Sequence, residues 1–369
     1  MQMHTRREFL GALALLAANA RTGLAQRASV RTVAGTGASG YVPEGPGGAD
    51  ALSAPITNPY GVVVGPDEAL YFCELDTGRT RRLDLSTNRL WTIAGNGEKA
   101  YAGDGGPAPL ASFSAPHEIR FDGAGDLYVV ERDAHVVRKV ERGTGMVSTV
   151  AGTGVAGYAG DGGAANQAQL RRPHSIAFDA AGDLLICDIG NSRVRAVQMA
   201  TGIIRTYAGT GELSATPAEA SIAGTPLQGP RSLDTDEGGN VYLVLREGNS
   251  VYRIDARSGR MARIAGTGQT GYSGDGGAAT QATFNGPKGI AYSPSDRSLY
   301  IVDTENHVIR KLALASGVIT TILGTGEVGD GPDGDPLRCR LARPHGVFMH
   351  RGVLYVTDSE NHRIRAVEL

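Results

Sequence analysis

The sequence predicts an all-β chain built from six like units set around one axis, and three observations carry that expectation. A proline that opens an apolar run recurs at Pro59, Pro116, Pro173, Pro230, Pro287 and Pro344, each 57 residues after the last. A second run, apolar-Ala-Gly-Thr-Gly, keeps nearly the same step at 33–37, 93–97, 150–154, 207–211, 264–268 and 322–326, with Asn96 and Leu323 as departures. The chain of 369 residues holds 53 glycines and only 6% aromatics. Many glycines and few long apolar runs suit short strands joined by tight turns.

One unit can be followed element by element. After Pro173, residues 175–178 form a first strand. Asp179-Ala180-Ala181-Gly182-Asp183 is a turn of residues that tolerate tight backbone geometry. Residues 184–187 form a second strand, 188–192 a loop and 193–197 a third strand. Thr201-Gly202 marks a hairpin turn, and 203–208 form the fourth strand. A Gly-rich link follows the fourth strand of each unit. In 152–170 it contains Tyr158-Ala159-Gly160-Asp161-Gly162-Gly163, and the same Tyr-x-Gly-Asp-Gly-Gly spans 101–106 and 272–277. Such links would run from the outer edge of one unit to the inner strand of the next.

Four-stranded units repeated radially make a six-bladed β-propeller with four strands per blade. The links lengthen the period beyond the roughly 40–45 residues of WD-type repeats. The six units fill 29–369, so no second domain is expected there. Arg31-Thr32-Val33-Ala34 matches a fourth strand, and Ile364-Arg365-Ala366-Val367 matches a third. The N-terminal strand should therefore complete the last blade, leaving only short, protected sheet edges.

The first 25 residues differ in kind. Arg6-Arg7-Glu8-Phe9-Leu10 precedes an apolar stretch at 11–18, and Gly23 and Ala25 sit at the −3 and −1 places of a cleavage site. A charged start, a short apolar centre and a small-residue end describe a secretory signal. The apolar stretch is too short to span a bilayer. The paired arginines resemble a twin-arginine export signal, a route that carries folded proteins. The expected organisation is a signal peptide at 1–25 and a propeller at 26–369, in a bacterial protein that is periplasmic or secreted, with no membrane span after cleavage. An uncleaved N-terminal anchor is the alternative. The net charge of −2 supplies no polybasic field for nucleic acid or anionic lipid.

Pro287-Lys288-Gly289-Ile290, residues 303–311 and residues 358–365 resemble NHL repeats, and the resemblance runs over essentially all of 29–369. It implies the propeller, but such propellers host binding modules and several unrelated enzymes. The fourth blade departs most. Its link, 212–229, lacks Gly-Asp-Gly-Gly, and Arg246 is read in the place of the acid found as Glu74, Glu131, Asp188, Asp303 and Asp358. Drift of the unit or a face adapted to a partner would both produce this. Each acid has an arginine seven residues later, as with Asp188 and Arg195, and a pattern repeated in nearly every blade reads as structural. Asp104, Asp161 and Asp275 in the links each offer one carboxylate, which fits turn hydrogen bonding better than Ca²⁺. Cys73 and Cys187 hold equivalent places in different blades, too far apart to bridge, and read as small buried residues.

The residue after each repeat proline forms the candidate site: Tyr60, His117, His174, Arg231, Lys288 and His345. A core position would be aliphatic, and none of the six is. The resemblance implies that this position rings one mouth of the central channel. Two cations and three imidazoles there would make an electropositive funnel for a carboxylate or phosphate. Glu118 and Ser175, one place on, would add polar contacts.

The peptidylglycine amidating lyase domain is a similar six-bladed propeller that holds a catalytic zinc through Pro-His histidines. Pro116-His117, Pro173-His174 and Pro344-His345 match that motif. Those lyase histidines come from alternate blades, whereas these come from blades 2, 3 and 6. A three-His zinc site needs its nitrogens about 2.0–2.1 Å from one ion, and Arg231 and Lys288 would add like charge beside it. The expectation is no cofactor, with zinc on His117, His174 and His345 as the alternative. No Gly-x-Ser-x-Gly or His-Glu-x-x-His motif is present. The sequence therefore favours a monomeric binding module for a protein, peptide, glycan or small anion over a metal-dependent lyase or hydrolase. Nucleic acid is not an expected partner.

Overall fold

A computed structural model describes residues 28–369. The expected signal segment, 1–25, lies outside the described residues. Six antiparallel sheets follow one another along the chain. The first is Pro59–Val64, Leu70–Glu74, Arg79–Asp84 and Arg89–Ala94, ordered from inside outward. In the third, Ile176–Phe178, Leu184–Asp188, Arg193–Gln198 and Ile203–Ala208 match the expected strands within about a residue. The innermost strands of the six sheets touch their neighbours in a closed cycle, the last against the first. The fold is a six-bladed β-propeller. Ser29–Ala34 pairs antiparallel with Arg363–Glu368 and is the outer strand of blade 6, closing the ring as expected. Apolar side chains fill the spaces between adjacent blades. Leu70 and Phe72 of blade 1, for example, pack in one cluster with Tyr355 and Ile364 of blade 6. Among the described residues no helix is long and apolar enough to cross a membrane.

The repeated motifs have local causes. The residue before each repeat proline, namely Asn58, Ala115, Arg172, Gly229, Gly286 and Arg343, is left-handed, with φ between +44° and +73°. This turn swings the chain from link to inner strand, and proline then fixes φ at the strand start. The preceding blade receives the amide at four of these turns. His362 Nδ1 accepts from Asn58 N, His135 Nδ1 from Arg172 N and His307 Nδ1 from Arg343 N, while Asn249 Oδ1 accepts from Gly286 N. These three histidines are pins between blades. The first glycine of each Ala-Gly-Thr-Gly run also has a steric reason. Gly152 sits at φ +94°, and a Cβ there would overlap the carbonyl oxygen of His135.

The Gly-rich links each lie along the outer strand of the next blade, so no outer strand is left with a bare edge. Backbone bridges Pro107↔Met146, Ala164↔Ile203, Ala278↔Val318 and Val30↔Gly334 show this in blades 2, 3, 5 and 6. Two-stranded pairing of Ala49–Asp50 and of Glu219–Ser221 does the same in blades 1 and 4. The link aspartates fasten this cover. Asp104 pairs with Arg138, Asp161 with Arg195 and Asp275 with Arg310, at 2.7, 2.6 and 2.8 Å. The same arginines face Glu131, Asp188 and Asp303 on their other side. Arg81 bridges Glu74 and Glu44 in the same way, and Arg365 bridges Asp358 to Asp330 and Asp333. The acid-arginine pairs and the link aspartates thus form one structural device.

Blade 4 corrects the sequence alignment by one residue. Pro59 pairs with Glu74 and Pro116 with Glu131, but Pro230 pairs with Leu245. The acid's place is therefore taken by Leu245, not by Arg246. Seven residues later Tyr252 replaces the arginine, and its hydroxyl donates to the Thr216 carbonyl of the link at 2.9 Å. Acid and arginine have been exchanged together for an apolar-aromatic pair.

Candidate functional site at the channel mouth

Because each repeat proline lies at the start of an inner strand or two to three residues before it, the next residue of all six blades reaches the same end of the channel. Tyr60, His117, His174, Arg231, Lys288 and His345 line one cavity of about 490 Å³. Their packing is close. Tyr60 stacks on His345 with ring centroids 3.9 Å apart and meets His117 edge-on at 4.8 Å. His117 in turn meets His174 at 4.4 Å. Arg231 crosses the opening to place a guanidinium nitrogen 3.1 Å from His117 Nε2. Lys288 Nζ lies 3.3 Å from His345 Nε2 and 2.9 Å from Glu305.

The hydrogen bonds fix the imidazole tautomers. His117 Nδ1 faces the His174 carbonyl at 2.9 Å, and His174 Nδ1 faces the Arg172 carbonyl at 2.7 Å. A carbonyl only accepts, so both Nδ1 atoms carry hydrogen. Ser359 Oγ donates to the Pro59 carbonyl, so His345 Nδ1 donates to Ser359 Oγ at 3.0 Å. All three Nε2 atoms are then lone pairs. Two are taken, by Arg231 and by Lys288. His174 Nε2 has no partner among the described residues and is the imidazole nitrogen left to meet a bound molecule. Burial first, and then the neighbouring cations, hold all three histidines well below the usual imidazole range, so they are neutral at pH 7.

The three-histidine metal arrangement is not formed. No group of three His, Cys, Asp or Glu among the described residues is placed to hold an ion. The Nε2 atoms of His117 and His345 point at cations instead, and a divalent ion there would face Arg231 and Lys288. The residues do not fit zinc.

The charge is positive and concentrated. Arg231 is 5% exposed, and no carboxylate lies within ion-pair distance of it among the described residues. Burial lowers its pKa to about 10 and that of Lys288 to about 8. Arg132, Arg172 and Arg246 also line the cavity and were not among the sequence candidates. Arg132 pairs with Asp133 and Arg246 with Glu247. Those two arginines follow Glu131 and Leu245, the equivalent strand ends of blades 2 and 4, so a correct register would have found them. Glu118 and Ser175 do not line the mouth. Glu118 is buried and pairs with Arg120 at 2.6 Å, and Ser175 faces Ser232 at 3.5 Å.

Comparison with known proteins agrees with the architecture. The NHL repeat family matches residues 284–312 and 341–366. The human NHL repeat-containing protein 2 is 24% identical over 329 residues, covering 79% of this chain and 45% of that protein. The chain thus spans less than half the length of that relative. Among solved structures, an auxiliary nutrient binding protein from Bacteroides ovatus superposes with a TM-score of 0.67 at 17% identity, covering 92% of this chain and 76% of that one. Virginiamycin B lyase from Staphylococcus aureus superposes with a TM-score of 0.54 at 15% identity, covering 93% of this chain and 100% of the lyase. These likenesses speak to the fold. This chain is a six-bladed β-propeller with matches to the NHL repeat in blades 5 and 6, and it is similar to a relative that carries the same repeat.

Proposed function

We propose that this propeller is an exported binding module that captures a small anion, a carboxylate or a phosphate, at the channel mouth. The observation that carries the reading is Arg231, a buried guanidinium with an imidazole lone pair as its protein partner and no carboxylate. Burying such a charge costs free energy unless something neutralises it, and a cavity beside it supplies the place. Guanidinium suits the planar, bidentate geometry of carboxylate and phosphate. A protein of similar fold from Bacteroides ovatus is an auxiliary nutrient binding protein, which supports a binding role. Lyase or hydrolase chemistry, as in the Staphylococcus aureus protein, would rest on His174 alone, since His117 and His345 already spend their lone pairs on cations.

The test is an isothermal titration of acetate and of phosphate against pH. Lys288 faces Glu305, His345, Arg231 and Arg343. It holds its proton below about 8 in the free protein and loses it above. A bound anion favours the protonated amine, so affinity falls as pH rises through 8, by up to about tenfold per pH unit. Lys288→Met flattens that slope. Absence of anion binding at pH 7 would refute the reading.

Export is supported by Arg6-Arg7 and the short apolar stretch after them. Replacing both arginines by lysine leaves the precursor inside cells that export the natural chain. Equal export of the two would count against the twin-arginine route.

A further inference from the structure

Beside the buried guanidinium the cavity wall changes character. Leu213 and Ile189 line it together with Arg231, and Gly190 and Gly229 add bare backbone. Leu213 is 74% exposed, among the highest values for a large apolar side chain in the described residues. It belongs to 212–229, the link that lacks the Gly-Asp-Gly-Gly core, so the segment that departs from the repeat adds an apolar side chain to the mouth beside Ile189 of blade 3. The cavity is also too large for a lone carboxylate. At about 490 Å³ it falls in the range of roughly 300–1,000 Å³ that houses drug-sized ligands.

The cations of the cavity set the valence at pH 7. Arg132 and Arg246 already have carboxylates, Lys288 has Glu305, and Arg172 is exposed to solvent. Arg231 is the buried cation of the cavity with no carboxylate at ion-pair distance; buried Glu118 acts on it from further off but is paired with Arg120, so one negative charge in the cavity would complete Arg231.

We propose that the mouth takes a hydrocarbon-tailed monocarboxylate, with its carboxylate on Arg231 and its tail along Leu213 and Ile189. The proposal rests on the anion-binding reading and adds an apolar subsite to it. Removing a chain of methylenes from water against these side chains makes the tailed acid the tighter ligand.

Calorimetry with acetate and octanoate on the natural chain and on Leu213→Ser tests it. Leu213 is exposed, so the variant should keep the fold. Octanoate is expected to bind at least about tenfold tighter than acetate. Leu213→Ser should remove most of that advantage and leave acetate unchanged. Equal binding of the two acids, both lost in Arg231→Met, would overturn the apolar subsite while the anion site stands. No binding of either would overturn both. An octanoate advantage untouched by Leu213→Ser would overturn the placement of the tail.

Discussion

Arg231→Met is expected to abolish anion capture while leaving the propeller at least as stable as before. The two readouts move independently for a physical reason. In the free protein the guanidinium is 5% exposed and has His117 Nε2 as its partner, so its burial is poorly compensated. A methionine of similar length fills the same space without a buried charge, and such exchanges are often neutral or stabilising. Binding is another matter. Truncating one side of a buried, hydrogen-bonded charge pair costs roughly 2–5 kcal/mol, a loss of about 30-fold or more in affinity. Calorimetry against acetate and a thermal melt of the same sample report both. A third readout follows from His117, whose pKa is held down by burial and then by Arg231. In the variant its titration shifts upward, visible by NMR. Unchanged affinity in a folded Arg231→Met would end the case for this site. A stable variant that no longer binds would identify Arg231 as a residue retained at a cost in stability for the sake of its ligand.

The ring itself was legible because radial closure turns a sequence period into spatial neighbourhood. Six positions 57 residues apart become one cavity wall, and no long-range contact has to be guessed. Strand ends were legible for the same reason. The unit read from Pro173 holds its four strands, and Ser29–Ala34 closes blade 6. What escaped was everything set by a partner outside the local run. Glu118 was expected at the mouth, but Arg120 lies two residues on, on the same face of the strand, and draws its carboxylate away. The link aspartates find arginines 32 to 35 residues downstream, so their role could not be read from the turn they sit in. Arg246, the first charged residue after the apolar strand of blade 4, stands one place beyond the acid's position. The pairing of Pro230 with Leu245 shows that the acid is gone and its arginine with it.

That paired loss in blade 4 yields the other large effect. Arg195→Leu is expected to cost about 3–5 kcal/mol, the usual penalty for breaking a buried ion pair on one side. Arg195 and Asp188 are both fully buried, 3.6 Å apart, and Arg195 also holds Asp161 of the link at 2.6 Å. Without the cation, Asp188 keeps two hydrogen bonds, from Arg171 N and Asn191 Nδ2, but its charge is no longer opposed. Burial already pushes this carboxyl up to about 6. In the variant it rises further, so the folded state binds a proton that the unfolded state, with a carboxyl near 3.9, has released. Stability of Arg195→Leu therefore falls as pH rises from about 4 through the raised folded value, and part of the loss is recovered at pH 5. Blade 4 shows how the protein itself resolves the conflict, by removing both charges and letting Tyr252 reach the link carbonyl of Thr216. The double variant Asp188→Leu, Arg195→Tyr copies that arrangement and should be more stable than Arg195→Leu by roughly 1–3 kcal/mol. Denaturant melts of the three chains at pH 5 and pH 8 decide it. A double variant no better than the single would mean that the arginine acts mainly through Asp161 and the link. Recovery would mean that the buried acid is the costly partner, and that blade 4 is a second stable solution to the same packing problem.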